Sequence, residues 1–227
     1  PNPVVSRQAC VCTPTCFVPI DRVRIIGERI NPTGKKRLKQ AILEQDFDYI
    51  LSQGLSQLEA GAQILDVNMG MPEVDESRML PLVIQKLQGV LDAPLQIDSS
   101  NVKAIEQALR LYNGKPIVNS VNGEEGSMNA ILPLVKKYGA AVVALTLDDN
   151  GIPLLAEERF AIAERIVAHA EQYGIPREDI YVDCLTLTAS VQQKEVVETL
   201  KAMRMVKEQL GCRTLLGVSN ISFGLPN

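Results

Sequence analysis

Acids and carboxamides recur at one kind of position in this sequence, just after a short apolar run. Val23-Arg24-Ile25-Ile26-Gly27 is followed by Glu28 and Asn31, Ile64-Leu65 by Asp66 and Asn68, Leu95-Gln96-Ile97 by Asp98, and Ile117-Val118 by Asn119 and Asn122. The pattern continues with Val142-Val143-Ala144-Leu145 before Asp148, Ile180-Tyr181-Val182 before Asp183, and Leu215-Leu216-Gly217-Val218 before Ser219 and Asn220. A carboxylate offers two parallel acceptor oxygens, which fit a planar group with adjacent N–H donors, and a carboxamide adds one donor and one acceptor. Gathered at one rim, such side chains describe a pocket for a flat, nitrogen-rich ring. Other chemistries lack their residues. Neither glycine-rich phosphate motif, G-x-G-x-x-G or G-x-x-x-x-G-K-[ST], occurs. The only histidine, His169, lies among Ile166, Val167 and Ala170 in a helical stretch and reads as an ordinary helix residue rather than a catalytic base. Carboxylates alone could hold a hard cation, but the amides at the same rim count against a dedicated cage, and no metal site is expected.

These side chains share a rim only if the runs before them are parallel strands. Segments of helical period separate the runs, and a β-α-β-α alternation implies a parallel sheet whose strand ends share one face. In α/β barrels that face carries the active site. The expected fold is therefore an α/β (β/α)₈ TIM barrel. Strand one is expected at Val23 to Gly27 and strand seven at Arg213 to Val218, with no eighth strand and helix before Asn227, so the barrel reads as truncated. Helices are expected from a basic start at Lys35-Lys36-Arg37, and over Tyr49 to Ala60, Ser77 to Gln88, Val102 to Leu111, Ser127 to Tyr138, Ala156 to Tyr173 and Val191 to Leu210. Gly61, Gly114, Gly139, Gly174 and Gly211 are the expected stops. Residues 1–22, rich in proline and without periodicity, read as an irregular N-terminal leader packed under the barrel, and residues 23–227 as the barrel domain.

Composition narrows the class. A chain of 227 residues that is 46% hydrophobic can bury a full core. A net charge of -4, no tryptophan, five tyrosines and four phenylalanines leave little with which to bind phosphates or stack bases, so nucleic acid is not an expected partner. No run approaches the roughly 18 apolar residues of a membrane span, and Pro1-Asn2-Pro3 does not open a signal peptide. A cytoplasmic protein, excerpted from something longer, is expected. Cys184 and Cys212 beside core strands suit reduced thiols. Cys10, Cys12 and Cys16 do not have a usual zinc spacing, and no histidine lies near them.

Several of these segments together carry a resemblance. Gly-Glu-Arg-Ile-Asn at 27–31, Asp66-Val-Asn68-Met-Gly70, Ile-Asp-Ser-Ser-Asn at 97–101, Val-Asn-Ser-Val-Asn at 118–122, Tyr-Val-Asp at 181–183 and Gly-Val-Ser-Asn-Ile-Ser at 217–222 resemble, in order, the pterin-binding methyltransferases. These are the methyltetrahydrofolate:corrinoid/iron-sulfur-protein methyltransferases and the folate module of cobalamin-dependent methionine synthase. The resemblance implies a barrel that binds methyltetrahydrofolate at its carboxyl-end mouth and passes the N5-methyl group to the cobalt of a corrinoid carried by a partner.

The resemblance also implies site residues. Asp98, Asn119 and Asp183 fall on pterin-ring contacts, with Asp183 placed to take the 2-amino and N3–H edge in a two-pronged hydrogen bond, and Asn220 falls on the position that reaches N5. Asn220 and Asp98 are the catalytic candidates. Glu28, Asn31, Asp66, Asn68 and Asn122 are further pterin-binding candidates, each equally suited to capping the loops at the mouth. Cob(I)alamin needs no general base, so the task is to position the donor and favour positive charge at N5. The chain has no Asp-x-His-x-x-Gly, so a corrinoid protein or cobalamin-binding module is the expected partner. A homodimer is left open. Two rivals stand beside this reading. Dihydropteroate synthase-like pterin condensation would need basic residues after the late strands, where this chain has Ser219-Asn220-Ile221-Ser222-Phe223. The other rival is a non-catalytic pterin-binding or corrinoid-docking domain.

Overall fold

Apolar runs flanked by helical period do become parallel strands in the computed structural model, which describes residues 8–186 and 193–218. The chain divides into two compact units, Pro1–Asn119 with Tyr138–Ala141, and Ser120–Lys137 with Val142–Asn227. The first opens with an antiparallel pair, β1 (Cys10–Cys12) and β2 (Phe17–Pro19), so the leader is not irregular as expected. After it come β3 (Ile26–Ile30), helices α1 (Lys36–Glu44) and α2 (Phe47–Glu59), β4 (Ile64–Asn68), α3 (Glu76–Val90), β5 (Leu95–Asp98), α4 (Val102–Leu111) and β6 (Ile117–Val121). Strands β3 to β6 are neighbours in sequence order, and β6 continues into the second unit. That unit holds α5 (Glu125–Tyr138), β7 (Ala141–Leu145), α6 (Ala156–Gln172), β8 (Ile180–Asp183), α7 (Gln193–Met205), a π-helical turn at Val206–Leu210 and β9 (Arg213–Leu215). Its strands β7, β8 and β9 are again parallel neighbours in sequence order.

The strands form where residues can be buried on both faces. β4, β5, β7 and β8 are buried for almost their whole length, the pattern of parallel strands covered by helices. Helix starts follow their caps. Asp46 accepts from Tyr49 N–H ahead of α2, Asp75 from Ser77 N–H ahead of α3, and Asn101 from Lys103 and Ala104 N–H ahead of α4. Among the described residues no helix is long and apolar enough to cross a membrane. Cys184 and Cys212 are buried free thiols.

Four expectations need correction. Strand one is not Val23 to Gly27 but β3, because Val23 and Ile25 stay exposed, at 92% and 57%, and the strand instead runs on through Glu28 and Arg29. A bulge makes this extension: Gly27 pairs with Leu65 and Ile30 with Val67, which leaves one extra residue on β3. The Arg29 N–H that the bulge frees is taken by buried Gln57 Oε1 at 2.7 Å. Gln57 reaches it only because residue 27 is glycine, since a Cβ there would lie 2.5 Å from that same oxygen. Strand seven is short, Arg213–Leu215 rather than Arg213 to Val218. Gly114 does not stop α4, whose chain leaves the helix in an extended conformation at Tyr112. Its φ of +124° lets the backbone pass Cys12, whose carbonyl oxygen would collide with a Cβ at this position.

The last contact belongs to the leader, the fourth correction. Cys12 and Lys115 exchange backbone hydrogen bonds of 3.0 Å. The Tyr112 hydroxyl donates to Cys12 O at 3.2 Å and accepts from Leu95 N–H at 3.1 Å. Thr13 and Thr15 hydroxyls both donate to Asp92 Oδ1. The hairpin thus seals the amino ends of β5 and β6. A cavity of about 480 Å³ beside it, lined by Thr13, Thr15, Gln88 and Asp92 among others, lies at that amino end, away from the strand-end acids.

Candidate functional site

Strand register decides which polar side chains can meet. Asp66 pairs with Gln96, Asn68 with Asp98, and Asp98 with Asn119. Because side chains alternate along a strand, these five residues fall on one face of β4, β5 and β6. The contacts follow. Gln96 Nε2 donates to Asp66 Oδ1 at 2.7 Å, and Asn68 Nδ2 donates to Asp98 Oδ2 at 3.0 Å. Asn119 also hydrogen-bonds to the Asp66 carboxylate. Asn68 Oδ1 accepts from Gly70 N–H and fixes the turn after β4, while Asn119 O accepts from Ser99 N–H and fixes the turn after β5.

Burial gives the two acids of this cluster unusual chemistry. Asp66, 4% exposed, has its pKa pushed up to about 8, first by burial and then by the neighbouring Asp98 carboxylate, against hydrogen bonds from Gln96 and Asn119 that favour the charged form. Glu28 adds a smaller upward push, which places it in reach of Asp66 from β3. Asp98 is also raised, chiefly by burial, with the Asn68 amide opposing and Glu76 adding to the shift. The two neighbouring acids are both pushed toward their protonated forms, Asp66 the more clearly. Two buried acceptors at this cluster lack partners in the described structure, Gln96 Oε1 and Glu76 Oε1. A ligand bearing N–H donors would satisfy them.

In the second unit, Asp183 is the last residue of β8 and 9% exposed. Its Oδ1 accepts from Leu185 N–H at 2.8 Å, and its carbonyl accepts from the Thr146 N–H and hydroxyl at 3.1 and 3.2 Å. Burial raises its pKa to about 6, and the Leu185 N–H pulls the other way. Asp148, after β7, differs. Arg165 Nη2 donates to its Oδ2 at 2.7 Å and holds its pKa below the ordinary range, so that carboxylate already has a cation. Of the two acids, only Asp183 keeps the uncompensated burial of a ligand-binding group.

The remaining candidates divide. Asn31 Oδ1 accepts from Thr33 N–H and Asn122 Oδ1 from Glu124 N–H, each within its own loop, which is the tethering arrangement. Glu28 lies within β3, not in the loop after it. Asn220 lies outside the described residues. Gln96 and Thr146 were missed in the sequence. Gln96 sits in an apolar run, and its one signal is a period of two with Asp98.

With this geometry in place, comparison with known proteins defines the class. Residues 27–226 match the family described as pterin binding enzyme, and the chain belongs to that family. It is 32% identical to the methionine synthase of Mycobacterium leprae over 89% of its own length, and 32% identical to that of Mycobacterium tuberculosis over 99%. It spans only 18% and 20% of those two proteins. Among solved structures, it resembles the dihydropteroate synthase of Xanthomonas albilineans with 4-aminobenzoic acid, with a TM-score of 0.71, 22% identity, and 93% of this chain and 78% of that chain covered. The dihydropteroate synthase of Thermus thermophilus gives 0.66 and 21% over 93% and 78%. At those identities the likeness speaks for the fold, which is an α/β TIM barrel with seven parallel strands among the described residues.

Proposed function

We propose that this chain binds methyltetrahydrofolate and presents its N5-methyl group for transfer to a corrinoid brought by a partner protein or module. The observation that carries this reading is the 32% identity to two methionine synthases across nearly the whole chain. On this reading Asp183, with one oxygen held by Leu185 N–H, accepts from the 2-amino and N3–H edge of the pterin, and Asp98 and Asn119 take other ring positions. Asp66, Asn68 and Glu28 stand with Asp98 in the first unit as further ring-binding candidates, and Asn31 and Asn122 each tether their own loop. Asn220 reaches N5 and favours positive charge there as the methyl departs. Asp66, with its pKa pushed up to about 8, is the acid of this cluster that keeps a proton near neutral pH.

The residues of this chain do not fit a corrinoid site of their own. The single histidine lies in α6 against the Tyr173 ring, 5.8 Å between centroids, and no Asp-x-His-x-x-Gly is present. The corrinoid is therefore a substrate on this reading, carried by a partner in the cytoplasm.

A second reading, pterin condensation of the dihydropteroate synthase kind, has the fold likeness in its favour. It lacks a basic residue for pyrophosphate at Ser219-Asn220-Ile221-Ser222-Phe223. The deciding experiment is calorimetric titration with methyltetrahydrofolate, followed by addition of free cob(I)alamin with its absorbance spectrum as readout. Transfer of the methyl group supports the proposal. Binding without transfer supports a docking domain, and condensation of a dihydropterin pyrophosphate with 4-aminobenzoate supports the second reading.

A further inference from the structure

A guanidinium with no exposure to water lies behind the candidate pterin contact of the second unit. Arg159, in the first turn of α6, is 0% exposed. Its Nε donates to Pro153 O at 2.8 Å in the loop before the helix. Its Nη1 lies 2.9 Å from Cys184 O, 3.0 Å from Leu185 O and 2.6 Å from Thr199 Oγ1. The Thr199 hydroxyl in turn donates to Leu185 O at 3.1 Å, and Thr199 is itself 1% exposed. Burying a guanidinium is costly unless its donors find acceptors, and here backbone carbonyls of two loops and a hydroxyl of α7 take up Nε and Nη1.

Two of those carbonyls belong to the residues that directly follow Asp183. Leu185 is held at φ +56°, a left-handed conformation that a branched side chain disfavours. The Leu185 N–H shares one planar peptide with Cys184 O, so a grip on that carbonyl also fixes the N–H that donates to Asp183 Oδ1. Strain like that at Leu185 persists only where the surroundings over-determine it. Arg159 and Thr199 are those surroundings: between them they grip Leu185 O twice and Cys184 O once.

We infer that Arg159 is a positioning residue that, with Thr199, holds the turn after β8 in its left-handed form and thereby aims the Asp183 carboxylate at its ligand. The inference rests on the reading of Asp183 as a pterin contact. It assigns Arg159 no contact with substrate and no proton transfer.

The test is a double-mutant cycle, with methyltetrahydrofolate as probe and calorimetry on the whole chain as readout. Arg159→Lys keeps the charge but loses the planar fork that reaches two carbonyls at once. It is expected to weaken folate affinity at least tenfold in the parent and less than twofold in an Asp183→Asn background, because Arg159 acts through Asp183. A purely structural role would cost the same in both backgrounds, and that outcome overturns the inference, as does unchanged affinity in the parent. Thermal unfolding verifies that each variant is folded. If Arg159→Lys is not, Thr199→Val, which removes one grip on Leu185 O, enters the same cycle with the same expected pattern and the same overturning outcomes. If Asp183→Asn alone leaves folate affinity intact, the reading of Asp183 is wrong and the inference falls with it, whereas a sensitive Asp183 with an indifferent Arg159 and Thr199 removes the inference alone.

Discussion

The acids of this protein differ in what surrounds them, and the difference sets testable behaviour. Asp183 is buried with one N–H partner on its carboxylate among the described residues, so Asp183→Asn should weaken methyltetrahydrofolate binding by about 1.5–3 kcal/mol, the cost of losing a charge-assisted pair in a partly dry site. Calorimetry on the folded variant checks it. Asp66 makes a prediction about stability. Its pKa rises from 3.8 in an ordinary setting to about 8 in the fold, so between those values the folded chain binds a proton that the unfolded chain has released. Stability from this group is therefore complete below about pH 4 and is lost as pH rises through about 8. Asp66→Asn, which mimics the neutral acid, should match the parent's stability only near or below about pH 4, exceed it at about pH 6 and exceed it further at about pH 9, as urea unfolding at the three values would show. Equal pH dependence in both proteins would mean that Asp66 titrates normally. The strand-end acids could be read in the sequence because a short polar residue after an apolar run has few other reasons to be there. Gln96 and Arg159 could not. An amide inside an apolar run and an arginine between Glu158 and Phe160 in a helix both look like ordinary surface residues until the register of β4 with β5 and the burial of α6 are known.

Among the elements, those buried on both faces were the ones legible as apolar runs. β4, β5, β7 and β8 were read this way, and α4 was expected at the residues it occupies, Val102–Leu111, where its helical period is clear. β3 was misplaced because apolar residues at its start face water and its extension depends on the side chain of Gln57, 28 residues beyond the Arg29 N–H it accepts from. A bulge filled from a helix leaves no local sequence signal. The structure makes this joint sensitive. Gly27→Ala should drive Gln57 off the Arg29 N–H and destabilise the chain by about 1–3 kcal/mol, the usual cost of overpacking a tight site. Chemical denaturation would measure it, and adding Gln57→Ala should recover none of the hydrogen bond while relieving the collision, so the double variant should be no less stable than Gln57→Ala alone.

At the scale of the molecule, the two units share one device, a turn after a parallel strand that is locked by a polar side chain. Asn68 does this for the turn after β4 in the first unit, and Arg159 for the turn after β8 in the second. Asp98→Asn and Asp183→Asn should each depress methyl transfer to free cob(I)alamin, and single-turnover rates beside calorimetric affinities would separate lost binding from lost rate. A full rate with either variant would remove that unit from the reaction. The leader has a consequence of a different kind. The Tyr112 hydroxyl ties it to the chain at a sequence separation of 100 residues, and the bond from Lys115 lies further on. During synthesis from the amino end, this hairpin cannot take its place until the residues through β6 have left the ribosome and paired. Until then Cys10, Cys12 and Cys16 travel on an undocked segment, which stays open to oxidants and chaperones until the amino ends of β5 and β6 are assembled to receive it.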